Sequence, residues 1–355
     1  MRLRSVEVIP YALPFKEPYV TARGTLQRRE MVLLRLRDED GVTGLGEAVP
    51  LALRGGATLE EVVRELEGWG DHREAEGLSA PARCAVTCAE MDLLGRRAAG
   101  SAAAAGSTEA VPCNATLVAG APGGVAGQAE RWAEDGFTTF KLKLGAESAK
   151  KVLEGPFSRT RDVGQVRAVR EALGPGVRIR VDANEAWDLE TAKRTLAELE
   201  PLGIELAEQP VAGLETMAEL AAVTSIPLAA DESVTTVEEA ERAAALGACG
   251  YTGIKLSKVG GPHAALAIAD VLPAYITSAL DGPVGIAAAA QVALSLAETG
   301  HPERLHLAHG LATQRLFAST IASVECELRD GKLHLPPGPG LGVEIDEEAL
   351  EAHRL

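Results

Sequence analysis

Apolar and polar positions change rhythm twice along the 355-residue chain. Over the first fifty residues the apolar runs are short and rich in β-formers. Met31-Val32-Leu33-Leu34-Arg35-Leu36-Arg37 is one such run, and Val42-Thr43-Gly44-Leu45-Gly46-Glu47-Ala48 is the next. Asp38-Glu39-Asp40-Gly41 separates them, and acidic residues followed by glycine between two such runs predict a hairpin. Helical stretches follow around 58–68 and 80–99, then an Ala/Gly/Ser-rich linker from Ala99 to Thr108.

Beyond residue 110 short β-branched runs alternate with Ala/Glu/Leu-rich helical stretches. The candidate strands are Pro112–Leu117, Phe137–Leu144, Val177–Asp182, Ile204–Glu208, Pro227–Asp231, Tyr251–Leu256, Tyr275–Ala279 and Leu305–His309. Strands alternating with helices predict a parallel sheet, and eight such units fit a closed β/α barrel. The alternative, a doubly wound open sheet, lacks its dinucleotide fingerprint: Gly120 and Gly123-Gly124 miss the required spacing. From about residue 324 the rhythm returns to β, with a turn at Asp330-Gly331, a Pro/Gly-rich stretch at 336–342 and a short acidic helix. This tail is expected to fold back onto residues 1–100.

Composition narrows the function. The chain carries 35 Lys and Arg against 51 Asp and Glu, a net charge of −16. So acidic a protein does not suit a phosphate backbone or an anionic membrane. A small anionic substrate remains compatible if the site holds local positive charge. No apolar run approaches the length of a membrane span, and the charged start Met1-Arg2-Leu3-Arg4 is unlike a signal peptide. The five scattered cysteines, Cys84, Cys88, Cys113, Cys249 and Cys326, read as reduced thiols and predict a cytoplasmic protein, with Cys84 and Cys88 expected to be buried on one helix face.

In a parallel barrel the active site lies at the C-terminal ends of the strands. Those ends carry Lys141 and Lys143, then Asp182, Glu208, Asp231 and Lys255. From Asp182 onward the steps are 26, 23 and 24 residues, about one βα unit each, so the side chains recur at equivalent positions on neighbouring strands. A single strand-end acid often does no more than cap a helix. Three in succession repel one another unless a cation sits among them, and an all-oxygen donor set points to Mg²⁺, with Mn²⁺ as the alternative, rather than zinc.

Lys141 and Lys143 lie two apart and therefore share a face of their strand. Two adjacent ammonium groups near a cation disfavour each other, so one is expected to have a lowered pKa and act as a neutral base. Lys255 approaches from across the mouth. Such a set suits removal of a proton α to a carboxylate, with the resulting enediolate held by the metal and the opposite lysine.

Lys141-Leu142-Lys143, Val181-Asp182-Ala183-Asn184, Glu208-Gln209-Pro210, Ala230-Asp231-Glu232-Ser233 and Ile254-Lys255 followed by Val259-Gly260-Gly261 resemble the enolase superfamily, muconate-lactonising subgroup. The resemblance covers nearly the whole chain. It implies an α/β fold: a modified TIM barrel, (β/α)7β, with an α+β capping domain built from both chain ends. The expected divisions are 1–108 for the N-terminal part of the cap, 109–324 for the barrel and 325–355 for the segment completing the cap. It also implies Mg²⁺ on Asp182, Glu208 and Asp231, with acid/base roles for Lys143 and Lys255; Lys141, on the same strand face as Lys143, is the third expected catalytic residue.

Two further segments, Thr277-Ser278-Ala279-Leu280-Asp281 and His309-Gly310-Leu311-Ala312-Thr313, resemble the o-succinylbenzoate synthases within that subgroup. The implied reaction is syn dehydration of 2-succinyl-6-hydroxy-2,4-cyclohexadiene-1-carboxylate, a step of menaquinone synthesis. Asn184, Ser278 and Arg28 are the expected substrate-binding residues, with Arg28 in the loop from Thr21-Ala22-Arg23-Gly24 to Arg28-Arg29, which resembles the family's mobile capping loop. Racemisation of N-succinylamino acids, dipeptide epimerisation and muconate cycloisomerisation share the same core residues. A non-catalytic Mg²⁺-binding relative is the remaining alternative. Dipeptide epimerases usually carry an Asp-x-Asp pair on the eighth strand, and Leu307-Ala308-His309-Gly310 has no acid. A small-molecule carboxylate is thus the expected partner, with a homo-oligomer left open. The polar loop from Gly145 to Asp162 suggests no chemistry.

Overall fold

The computed structural model describes residues 2–21, 24–50, 52, 55–72, 77–98, 110–145, 157–298 and 307–355. The linker at 99–108, residues 22 and 23 of the capping loop, and 146–156 of the polar loop lie outside them.

Three antiparallel strands open the chain: β1 (Leu3–Thr21), β2 (Gly24–Asp38) and β3 (Thr43–Ala48), in that order across the sheet. The Asp38–Gly41 hairpin forms as expected. Asp38 Oδ1 accepts the Val42 N–H at 2.8 Å, and Gly41 takes a φ of +86°, which glycine adopts without strain. Both faces of β2 are buried. Met31 and Leu33 pack toward the barrel, whereas Val32, Leu34 and Leu36 pack against the helices α1 (Leu59–His72) and α2 (Ala80–Arg97). In β3, any Cβ on Gly44 or Gly46 would strike the backbone of α2 at Ala89 or Ala85, so these glycines set how closely the strand lies on the helix.

The second half is a curled parallel sheet. Its strands are β5 (Ala115–Leu117), β6 (Thr139–Lys143), β7 (Arg178–Asp182), β8 (Ile204–Glu208), β9 (Leu228–Ala230), β10 (Tyr251–Ile254) and β11 (Ala274–Ile276), each hydrogen-bonded to the next. Helices run between them. Two have clear start signals: Asp188 caps the helix at Leu189–Leu199, and Thr236 with Glu239 forms a capping box at Val237–Leu246. Parallel bridges from Cys113 to His309 and from Thr277 to Gly310 close the ring. Among the described residues the eighth strand is His309-Gly310; the expected start at Leu305 lies within residues 299–306, outside them.

One expected strand divides. Residues 112–117 are not one element: β4 (Ala110–Pro112) leaves the barrel and pairs antiparallel with the strand Lys332–His334, which in turn pairs with Glu327–Arg329. Other parts of the tail reach the cap sheet and helix α2. The Leu355 N–H donates to the Pro10 carbonyl at 3.0 Å, the Leu341 N–H to Asp92 at 2.6 Å, and Arg96 to the Val343 carbonyl at 2.9 Å. Among the described residues no helix is long and apolar enough to cross a membrane. All five cysteines are free, and Cys84 and Cys88 are buried with their sulfurs 3.9 Å apart.

Glu47 joins the two halves. It projects from β3 into the start of the barrel helix Pro283–Glu298, where the Gly282 N–H donates to Oε1 at 2.6 Å and the Tyr11 hydroxyl donates to Oε2 at 2.9 Å. A Cβ on Gly285 would come within 2.7 Å of Oε1, so the cradle requires glycine there. Burial and the nearby Asp281 push the Glu47 carboxyl up to about 7 from its ordinary 4.5, while the donors from Tyr11, Gly282 and Gly285 oppose the shift. Arg29 and Glu325 also face this cluster.

A carboxyl raised on folding stabilises below its unfolded pKa and loses that contribution as pH rises through its folded pKa. Stability should fall between pH 4.5 and about 7 by at most about 3 kcal/mol from this group. Thermal unfolding of Glu47→Gln across that range should lack this downward component. A variant keeping the parent's slope would contradict the assignment.

Candidate active site

Strand parity aims the functional side chains. Phe140 and Leu142 of β6 point outward to the helices, as do Ile179 and Val181 of β7, so Lys141, Lys143, Arg180 and Asp182 point into the barrel. The register sets Lys143 opposite Asp182 and Asp182 opposite Glu208 at one level. A bulge between β7 and β8 skips Glu205 and lets its carboxylate take Arg180 Nε at 2.5 Å. Asp231 directly follows β9, and Lys255 directly follows β10.

Six charged groups meet there. Lys141 Nζ lies 3.0 and 3.1 Å from the two oxygens of Glu208 and 3.2 Å from Asp182. Lys143 Nζ lies 2.5 Å from Asp182 and donates to Asn184 Oδ1 at 2.9 Å. Lys255 pairs with Asp231. Asp182, Glu208 and Asp231 are all buried.

Burial drives the Asp182 carboxyl upward, but Lys143 and Lys141 hold it well below the usual carboxylate range. Burial raises Glu208, and the charges of Asp182 and Asp231 add to that rise despite Lys141. Three buried carboxylates at adjacent strand ends, one of them raised by the other two, form the oxygen donor set that a hard divalent cation satisfies. Among the described residues no three such groups stand ready to hold a metal ion as they are, because the lysine ammonium groups lie among them. The donor chemistry fits the ion, and these salt bridges are what it has to displace.

The expected lowering of one lysine belongs to the site with a cation among its carboxylates; with those carboxylates paired to the lysines, both lie above the ordinary lysine value. For Lys143, burial and Lys141 do pull downward, but Asp182, with Tyr19 and Glu208 behind it, outweighs them. The ammonium form is favoured while Asp182 touches it; a cation that takes up Asp182 would withdraw that support and leave burial and Lys141 to favour the neutral base.

The three substrate-binding candidates part company. Asn184 lies in the mouth with a left-handed φ of 48°; its Nδ2 donates to Glu232 at 3.1 Å while Oδ1 serves Lys143. Ser278 spends its hydroxyl on a turn. It donates to Asp281 at 2.6 Å and accepts from the N–H groups of Leu280 and Asp281, both at 2.9 Å. Arg28 lies on the outer face of β2, paired with Glu30 at 2.7 Å. Its neighbour Arg29 is the one that parity turns toward the barrel: it donates to the Pro50 carbonyl at 2.8 Å, and burial pulls its guanidinium down to about 10.

Sequence reasoning passed over two other residues. Gln209, at a φ of 37°, staples the loops after β8 and β9. Its Oε1 accepts the Asp231 and Ser233 N–H groups at 2.9 and 3.2 Å, and its Nε2 donates to the Ser233 hydroxyl at 2.7 Å. Lys258, one helical turn beyond Lys255, donates to the Asp231 carbonyl at 2.6 Å, and burial keeps it below its ordinary pKa. Spacing was the available signal for Lys258, since positions three apart share a helix face.

Comparison with known proteins matches residues 3–104 to the N-terminal domain of the mandelate racemase / muconate lactonizing enzyme family and residues 124–349 to the enolase C-terminal domain-like family. An o-succinylbenzoate synthase from Thermobifida fusca (strain YX) is 36% identical over 288 residues, which span 79% of this chain and 83% of that protein. The crystal structure of a muconate lactonizing enzyme from Pseudomonas fluorescens, complexed with muconolactone, superposes with a TM-score of 0.87 at 28% identity, covering 100% of this chain and 99% of that one. A dipeptide epimerase from Enterococcus faecalis V583, complexed with Mg and L-Leu-L-Tyr, superposes at 0.83 with 26% identity, covering 97% of this chain and 100% of that one.

Proposed function

The chain belongs to the mandelate racemase / muconate lactonizing enzyme family, and on that premise we propose that it is an o-succinylbenzoate synthase, a Mg²⁺-dependent carbon–oxygen lyase. One observation carries the choice of substrate: the eighth-strand segment Leu307 to Gly310 presents no carboxylate to grip a substrate ammonium group. Its His309 is kept neutral as well, because burial and Arg180 lower its pKa to about 3. A lysine-rich mouth of this kind suits a dianion without a free amine.

Bound Mg²⁺ would draw on the carboxylates of Asp182, Glu208 and Asp231 and stabilise the charge that develops as the α proton leaves. Lys143 takes that proton. Its ammonium form, on the same side of the substrate, then returns the proton to the departing hydroxyl, so water leaves and the ring becomes aromatic. Lys255, at the far end of the arc beside Asp231, is released from that carboxylate by the cation and meets the negative charge from the opposite side. Asn184 orients Lys143.

The placement of Lys143 and Lys255 on different acids at the two ends of the arc also favours a second activity, racemisation of N-succinylamino acids, in which each lysine serves one face. The test offers the protein the cyclohexadiene carboxylate, an N-succinylamino acid and cis,cis-muconate, each with Mg²⁺, and follows product by NMR. The expected result is rapid o-succinylbenzoate formation with slower racemisation. Fast racemisation or lactone formation with no dehydration would overturn the proposal.

A further inference from the structure

We infer that Tyr275 is a positioning residue that holds Glu208 in its ligating orientation. This rests on the reading of Glu208 as a metal ligand. Tyr275 lies on β11, and Glu208 ends β8, the third strand along in the sheet order. The phenol reaches it through the barrel interior and donates to Glu208 Oε2 at 2.5 Å.

The sequence makes room for that reach. Gly253 sits opposite Tyr275 in register, and a Cβ there would lie 3.1 Å from the phenol oxygen and 3.2 Å from Cζ. The ring has little freedom to turn away. Leu206, Ala229 and Leu307 pack with it, and the Arg180 guanidinium lies 5.0 Å from its centroid. Arg180 is fixed in turn by Glu205 at 2.5 Å and by the Ala308 carbonyl at 2.7 Å.

The two partners of Glu208 differ in what a cation does to them. Lys141 is an ammonium, which a divalent ion repels from the carboxylates it shares. The phenol is neutral and can keep Oε2 while the carboxylate binds a metal. Outer hydrogen bonds of this type commonly carry a 10–100-fold share of metal affinity.

The experiment is a calorimetric Mg²⁺ titration of the parent, Tyr275→Phe and Gly253→Ala, with thermal unfolding recorded beside it. Tyr275→Phe should bind Mg²⁺ about tenfold more weakly, unfold near the parent temperature, and require more Mg²⁺ for half-maximal turnover while its kcat at saturating Mg²⁺ stays close to the parent's. Gly253→Ala, which crowds the phenol, should shift affinity in the same direction. A Phe variant that binds Mg²⁺ as tightly as the parent overturns the assignment. A Phe variant that loses its cooperative transition also overturns it, since the hydroxyl would then be a structural strut. A parent that binds no Mg²⁺ would instead remove the metal reading of Glu208 itself.

Discussion

Lys143→Ala should lower kcat for dehydration by about 10⁴-fold, the upper range for losing a positioned acid/base group, while Mg²⁺ still binds. The residue contributes the atom that carries the proton, and no neighbour can replace it. Lys141, two positions earlier, is committed to Glu208 and Asp182, and Lys255 lies on Asp231 at the other end of the arc. Truncation leaves Asp182 with Lys141 as a remaining partner at 3.2 Å, so the carboxylate is not stranded. The Lys143 side chain is also 27% exposed, which keeps the packing cost small. Steady-state kinetics and a Mg²⁺ titration on the same preparation check this. Turnover within tenfold of the parent would mean that the proton goes elsewhere.

Asp182→Asn should produce a different and broader failure. Asp182 is the shared partner of Lys141 and Lys143 at 3.2 and 2.5 Å, and it is fully buried. Removing one member of a buried ion pair while leaving the other typically costs about 3–5 kcal/mol, because the surviving charge has no compensation. Mg²⁺ affinity should fall at the same time by more than about 100-fold, the metal having lost a charged donor. Adding Lys141→Met should recover part of the stability, as contacting residues do not behave additively, but none of the metal affinity. Chemical denaturation with parallel calorimetry separates the two losses. An Asp182→Asn protein with parental stability and parental Mg²⁺ binding would contradict the assigned role.

Much of the site was legible because it depends on period and parity alone. Asp182, Glu208, Asp231 and Lys255 recur once per βα unit, and Lys141 and Lys143 alternate with outward-facing Phe140 and Leu142. The remainder depends on neighbours distant in sequence. The run Met31–Leu34 is buried on both faces, so it shows no alternation, and nothing in it tells that Arg29 rather than Arg28 faces the barrel. The charge state of Lys143 turns on which group lies within 3 Å of its nitrogen, which spacing does not report. Ser278 resembled a ligand-facing hydroxyl, but Asp281, three residues on, captures it in a turn. Glu47 and Tyr275 gain their meaning from partners 235 and 67 residues away.

The whole account turns on a divalent ion among Asp182, Glu208 and Asp231. Crystals grown with Mn²⁺ and measured at its absorption edge test this directly. The expected map has one anomalous peak bonded to oxygens of all three residues, with the nitrogens of Lys143 and Lys255 withdrawn from the carboxylates they now touch. A map with no peak there, at a Mn²⁺ concentration that supports turnover, or with a peak at other ligands, would contradict the account.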